Sequence, residues 1–198
     1  CCNNAQEKPE VKVVQPGEQA PLADPGQKNF GGPATARRDK NGISMGFFAP
    51  NSHRVIDCRD CMLQPKEFAK ILNVFEKWIK KNAITVYNEE THKGLLRHIY
   101  IRKAFETDQI MVCAVINGHN LPKKDQLIID LIKECSNIVS VTVNENTNDS
   151  NVILGKKCYT IWGEDYIEDI LCGVRVRISP LSFYQVNPDQ AQLLYGKA

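Results

Sequence analysis

The sequence predicts an α+β fold: a mixed or antiparallel sheet with two main helices, preceded by a loop-rich N-terminal segment. Three observations carry that expectation. Two stretches repeat apolar residues at helical spacing, several β-branched runs group as hairpins, and strands and helices do not alternate regularly.

Residues 1–42 differ from the rest. Five of the ten prolines and five of the twelve glycines fall there, and the apolar run Val11-Lys12-Val13-Val14 is its one candidate strand. The remainder of that segment reads as loop. Asp39-Lys40-Asn41-Gly42 reads as a turn, because Asn-Gly accepts the positive φ of a tight hairpin. Ile43–Ala49 follows as a strand stopped by Pro50. Pro65 opens a helix to about Lys81, with Phe68, Ile71, Leu72, Phe75 and Ile79 on one stripe. Lys77, Lys80 and Lys81 suit its last turn, where they oppose the helix dipole, and read as a solvated end.

Leu95–Lys103 and Gln109–Asn117 form an antiparallel pair in this reading. Pro122–Cys135 is the second helix, with Leu127, Ile128, Leu131, Ile132 and Cys135 facing inward. Ile138–Val143, Cys158–Trp162, Tyr166–Cys172 and Val174–Ile178 supply further strands, and a short helix follows Asn187-Pro188 toward Tyr195. The division is therefore 1–42 as N-terminal segment, 43–180 as the α+β domain, and 181–198 as the start of a linker.

Composition excludes several classes. With 198 residues, 42% of them hydrophobic, the chain can bury one ordinary core. A net charge of +2 creates no global field, so any nucleic-acid contact must come from local patches. No stretch is long and apolar enough to cross a membrane as a helix, and Cys1–Glu10 lacks the apolar core of a signal peptide. A first residue other than Met leads to the expectation of a processed or incomplete chain. No glycine-rich strand-turn-helix signature for a nucleotide or S-adenosylmethionine occurs, since Gly31-Gly32 runs straight into Pro33. The four histidines (His53, His92, His98, His119) are scattered and read as structural.

The eight cysteines are Cys1, Cys2, Cys58, Cys61, Cys113, Cys135, Cys158 and Cys172. Without a signal peptide they point to a reducing, cytoplasmic setting. Cys113, Cys135 and Cys172 sit in apolar runs and read as small core hydrophobes. Cys58-Arg59-Asp60-Cys61 is a C-x-x-C pair, half of a zinc site.

Three segments exceed generic patterning. They are Gly46-Phe47-Phe48-Ala49-Pro50-Asn51-Ser52-His53-Arg54-Val55-Ile56-Asp57 followed by Cys61, then Gly94-Leu95-Leu96-Arg97-His98-Ile99-Tyr100-Ile101-Arg102, and finally Ser179-Pro180-Leu181-Ser182-Phe183-Tyr184-Gln185-Val186-Asn187-Pro188. In this order and spacing they resemble the bacterial RNA (uracil-5-)-methyltransferases, especially the 23S ribosomal RNA branch. The resemblance covers about Ile43 to Ala198, with a short echo at Asn3-Asn4-Ala5-Gln6.

The resemblance implies that this stretch is the intermediate domain of a class I methyltransferase. In that family it lies before the S-adenosylmethionine-binding catalytic domain and forms part of the RNA cleft. It assigns Gln185 to S-adenosylmethionine and places Phe183, Tyr184 and Asn187 near the flipped base. It makes Cys61 a candidate iron–sulfur ligand, although the usual three partner cysteines are not visible. Arg97 and Arg102 would hold RNA phosphate, brace the catalytic domain, or form surface ion pairs, projecting to opposite faces of their strand. The nucleophilic cysteine, the base and the cofactor loop of the family match none of these residues. The catalytic domain is missing from this chain, which is expected to be inactive alone and to expose an apolar face. Two other readings stay open: a non-enzymatic RNA-binding module, and a small metal or redox protein built on Cys58 and Cys61.

Overall fold

A computed structural model of the chain describes residues 12–13, 33–39, 42–49, 52, 54–61, 64–150, 152–184 and 188–196. The strands are β1 (Lys12–Val13), β2 (Pro33–Asp39), β3 (Gly42–Phe48), β4 (Val55–Asp57), β5 (Leu96–Lys103), β6 (Ile110–Ile116), β7 (Ile138–Glu145), β8 (Lys157–Gly163), β9 (Ile167–Leu171) and β10 (Val174–Ile178). The helices are α1 (Lys66–Lys81), α2 (Lys124–Glu134) and α3 (Pro188–Tyr195). The fold is α+β. A seven-stranded sheet runs β4-β3-β2-β5-β6-β7-β8, and a three-stranded sheet runs β1-β10-β9. Antiparallel pairs dominate; β6 and β7 are parallel because α2 carries the chain back across the sheet.

α1 forms because its apolar residues fall on one stripe: Phe68, Ile71, Leu72, Phe75, Trp78 and Ile79 are buried together. Pro65 stands at its N-cap, where a missing N–H costs nothing, and Lys80 and Lys81 close its last turn. Lys80 pairs with Glu76 one turn back at 2.6 Å. With α2, α1 covers one face of the large sheet. Ile99, Ile101, Ile110, Val112, Ala114, Val141 and Val143 come from that face and join the main core.

Two expectations change. Pro33–Asp39 is a strand, not loop, and it sits inside the sheet between β3 and β5. Its Ala34 and Ala36 give little intrinsic strand signal, yet both are buried, with Thr35 between them. Pairing on both sides, rather than propensity, makes the strand. The expected turn after it fits, since Asp39 and Gly42 pair directly, while Lys40 and Asn41 lie outside the described residues. Cys172, expected in the core, is exposed. Leu171 pairs with Val174, so Cys172 and Gly173 are the two residues of a tight hairpin turn, with φ of 51° and 79°. Tight turns of this kind need positive φ and point their side chains outward. Cys113 and Cys135 are buried as expected.

Two glycines of the recognisable segments have steric reasons. A Cβ on Gly46 would stand 1.8 Å from the Ile56 carbonyl oxygen across the β3–β4 pair. Gly94 has φ of 113°, and a Cβ there would stand 2.3 Å from the Val86 carbonyl oxygen.

Candidate functional site

The third recognisable segment leaves β10 and folds over the polar face of the large sheet. Ser179 and Ser182 close a small turn around Pro180-Leu181. The Ser182 N–H donates to the Ser179 carbonyl at 3.2 Å, and the Ser179 N–H donates to Ser182 Oγ at 3.1 Å. From there the chain alternates. Ser182 is buried, Phe183 is 51% exposed, and Tyr184 turns back in.

Both neighbours of Phe183 are held. Arg102 on β5 donates through Nη2 to the Ser182 carbonyl at 2.5 Å. The same guanidinium donates to the Tyr100 hydroxyl at 2.7 and 3.0 Å, so Tyr100, two residues earlier on the same face, sets its position. On the other side the Tyr184 ring packs against the small cluster of Ala104, Met111, Ile167 and Ile178. Its hydroxyl donates to Asp169 Oδ2 at 2.8 Å. Burial, then the Asp169 carboxylate, pushes the Tyr184 phenol well above its ordinary value, so it stays a donor at any ordinary pH.

Asp169 has no counterpart among the residues singled out from the sequence. It is 1% exposed and accepts N–H bonds from Phe105, Glu106 and Ile170 at 3.1, 3.0 and 2.9 Å, besides the Tyr184 hydroxyl. A signal was there: in Ile167-Glu168-Asp169 an acid stands two residues from an apolar one, on the inward face of a strand. Arg175 and Arg177 on β10 share the carboxylate of Glu168 on β9 at 2.9 and 3.2 Å. Arg177 also stacks over the Tyr166 ring at 4.4 Å.

Arg97 belongs to a different construction. It is the extra residue of a β-bulge, since Leu96 pairs with Ile116 and His98 with Val115. Its guanidinium donates to the carbonyls of Asn146, Asn148 and Ser150 at 3.0, 2.6 and 3.2 Å and stacks on Tyr87 at 4.2 Å. Only 2% of Arg97 is exposed. A phosphate contact would have to break those bonds, and the expected ion pair is present, to Glu89 at 3.9 Å, but it is buried rather than at the surface. Arg97 clamps the 146–150 loop. Asn144 and Asn146 brace the same loop through the carbonyls of Gly155, Lys157, Val152 and Ile153.

Gln185 and Asn187, assigned to cofactor and base by resemblance, lie outside the described residues. Cys61 is half-buried against the main core. Its neighbour Cys58 is buried, with its thiol 3.8 Å from the Met45 carbonyl, and burial followed by the charge of Asp57 pushes that thiol up to about 11. Asp57 is itself paired with Arg59. A cluster needs thiolates, and the surroundings of Cys58 disfavour one there. Among the described residues no group of three or more His, Cys, Asp or Glu stands ready for a metal. The described residues by themselves therefore do not assemble an iron–sulfur site.

No protein-family model matches the chain. An uncharacterized RNA methyltransferase of Clostridium tetani is 42% identical over 161 residues, 81% of this chain and 35% of that protein. One from Staphylococcus epidermidis is 39% identical over 160 residues, again 81% of this chain and 35% of that protein. One from Caldanaerobacter subterraneus is 39% identical over 153 residues, 77% of this chain and 34% of that protein. The chain spans about a third of the length of these relatives. The crystal structure of Pyrococcus abyssi tRNA (uracil-54, C5)-methyltransferase in complex with S-adenosyl-L-homocysteine shares the fold. Its TM-score is 0.69 at 24% identity, covering 85% of this chain and 39% of that one.

Proposed function

The chain belongs to the RNA methyltransferase family, and we propose that it is the RNA-facing intermediate region of a uracil-C5 methyltransferase acting on 23S ribosomal RNA in the cytoplasm. S-adenosylmethionine is the methyl donor of the whole protein, and Gln185 is this chain's contribution to its binding. The observation that carries the reading is the Ser182-Phe183-Tyr184 segment: both flanking residues are tied down, and an aromatic ring is left facing solvent between them. An exposed, pre-set ring is what stacking on an unpaired base requires. Arg102 contributes by holding the segment, so its role is bracing rather than phosphate contact.

The test is binding of a uridine-containing single-stranded RNA to the 198-residue chain. Phe183→Ala should weaken it about tenfold, the scale of one lost stacking contact. An unchanged affinity in that variant overturns the assignment of Phe183. The sequence contains no glycine-rich cofactor loop, so no methyl transfer to uridine is expected from this chain alone. Detectable transfer would refute that expectation.

A further inference from the structure

We propose that Asp169 is the positioning residue of the Phe183–Tyr184 segment: its buried carboxylate fixes the Tyr184 hydroxyl and the Phe105–Glu106 bend together, and so sets the direction in which Phe183 faces solvent. The inference rests on reading that segment as RNA-facing, and it adds a residue on another strand that governs it.

The geometry divides the work between the two carboxylate oxygens. Oδ1 accepts from the N–H groups of Glu106 and Ile170, and Oδ2 accepts from the Phe105 N–H and the Tyr184 hydroxyl. A carboxylate that is 1% exposed is tolerable in such a place only because it is this fully bonded. Its backbone partners belong to the link between β5 and β6 and to β9 itself. Among the described residues Tyr184 is its one partner from the motif segment, so the hydroxyl is a joint between the segment and the rest of the domain.

That joint works as one half of a bracket. Before Phe183, the Ser182 carbonyl is held by Arg102; after it, Tyr184 is held by Asp169. The inward place that Phe183 would occupy if the chain turned over is filled by the Tyr184 ring against Met111, Ile167 and Ile178. Swapping the two aromatics would bury Phe183, which has no hydroxyl, and leave one acceptor position of Asp169 unmet. The carboxylate thus reads the hydroxyl that distinguishes Tyr184 from Phe183, and so selects which of the two adjacent aromatic residues points outward.

The experiment uses the whole 198-residue chain with Tyr184→Phe, Asp169→Asn and the double variant, read by amide hydrogen exchange. Tyr184→Phe should raise exchange at Ser182, whose N–H is bonded to the Ser179 carbonyl, by about tenfold, the scale of one lost charge-assisted bond, and leave Phe105 and Glu106 as in the parent. Asp169→Asn should raise exchange at both places. At Ser182 the double variant should not exceed the larger single effect, because one joint is being removed twice. Phenolate absorbance gives a second readout. The Tyr184 signal, isolated as the difference from Tyr184→Phe, should appear at lower pH in Asp169→Asn, since Asp169 and Glu106 are the acids that act on it. Unchanged exchange in Tyr184→Phe, or additive effects in the double variant, overturns the proposal. If Asp169→Asn does not fold, Tyr184→Phe decides alone, as it removes one oxygen from a half-buried ring. RNA affinity is measured separately. A parent chain that shows the coupling but binds no uridine-containing RNA upholds the joint and refutes the RNA reading.

Discussion

The two faces of the seven-stranded sheet are built on opposite principles. Toward α1 and α2 the paired residues across β5, β6 and β7 are apolar: Ile99 with Ala114, Ile101 with Val112, Ala114 with Val143. On the other face the same strands pair Thr35 with His98, Tyr100 with Cys113, Cys113 with Thr142, and Asn144 with Cys158. The first face is held by burial, which is strong and indifferent to direction. The second carries polar side chains, and bonds such as Thr35 to His98 and Arg102 to Tyr100 fix where those atoms stand, while the Ser140 hydroxyl is buried without one among the described residues. The candidate site lies over the second face, near Tyr100 and Arg102, where position matters more than stability.

Substitutions graded across the two faces sharpen this contrast. Trp78→Ala should cost the most, about 4 kcal/mol, because it empties a large volume in the main core. It also removes the indole N–H bond to the Lys123 carbonyl at 3.1 Å. Denaturant unfolding measures it, and a loss under about 1 kcal/mol would mean that the helix-covered face is not the stabilising one. Arg97→Ala comes next at about 3 kcal/mol, since three carbonyls lose a charged donor inside the protein. Faster hydrogen exchange in residues 146–150 should accompany the loss, with the helices unaffected.

His98 gives a pH-dependent test of the polar face. Burial, then the charge of Arg97, lowers its pKa to about 4, and its Nδ1 lies 3.1 Å from the Thr35 hydroxyl. The unfolded chain takes up a proton near pH 6.5 and the folded chain does so only near 4. Stability is therefore full above the unfolded value, falls as pH drops through that window, and levels off below it. The loss should be on the order of 3 kcal/mol. His98→Gln should flatten the curve across that window, and an unchanged slope would assign the effect to other groups. Phe183→Ala is expected to be smallest, within about 0.5 kcal/mol of the parent, because the ring is already in water. The same variant is expected to lose RNA affinity, and that pairing of small stability effect with large binding effect would mark a residue displayed rather than packed.

Strong periodic segments were readable without coordinates. The stripe of Phe68, Ile71, Leu72, Phe75 and Ile79 specifies α1, and β-branched runs specify β5, β6 and β7, because period and burial coincide there. β2 was not readable, since Ala34 and Ala36 carry no strand signal and owe their place to neighbours on both sides. At the candidate site, Phe183, Tyr184 and Arg102 were marked by their segments. Asp169 was not, because what it does depends on a hydroxyl 15 residues later in the chain and two N–H groups more than 60 residues earlier.

By itself, the order of residues determined the fold class, the two main helices and the segments that carry the family resemblance, because these depend on local period and on residue identity. Tertiary structure decided the rest. It turned Arg97 into an internal clamp through a one-residue bulge, placed Cys172 on a hairpin tip, and gave Phe183 to solvent while Tyr184 was held inside. Which way a side chain points is set by partners brought close only by folding, and the energy of each such choice is a bond or two, too small and too distant to be written in local pattern.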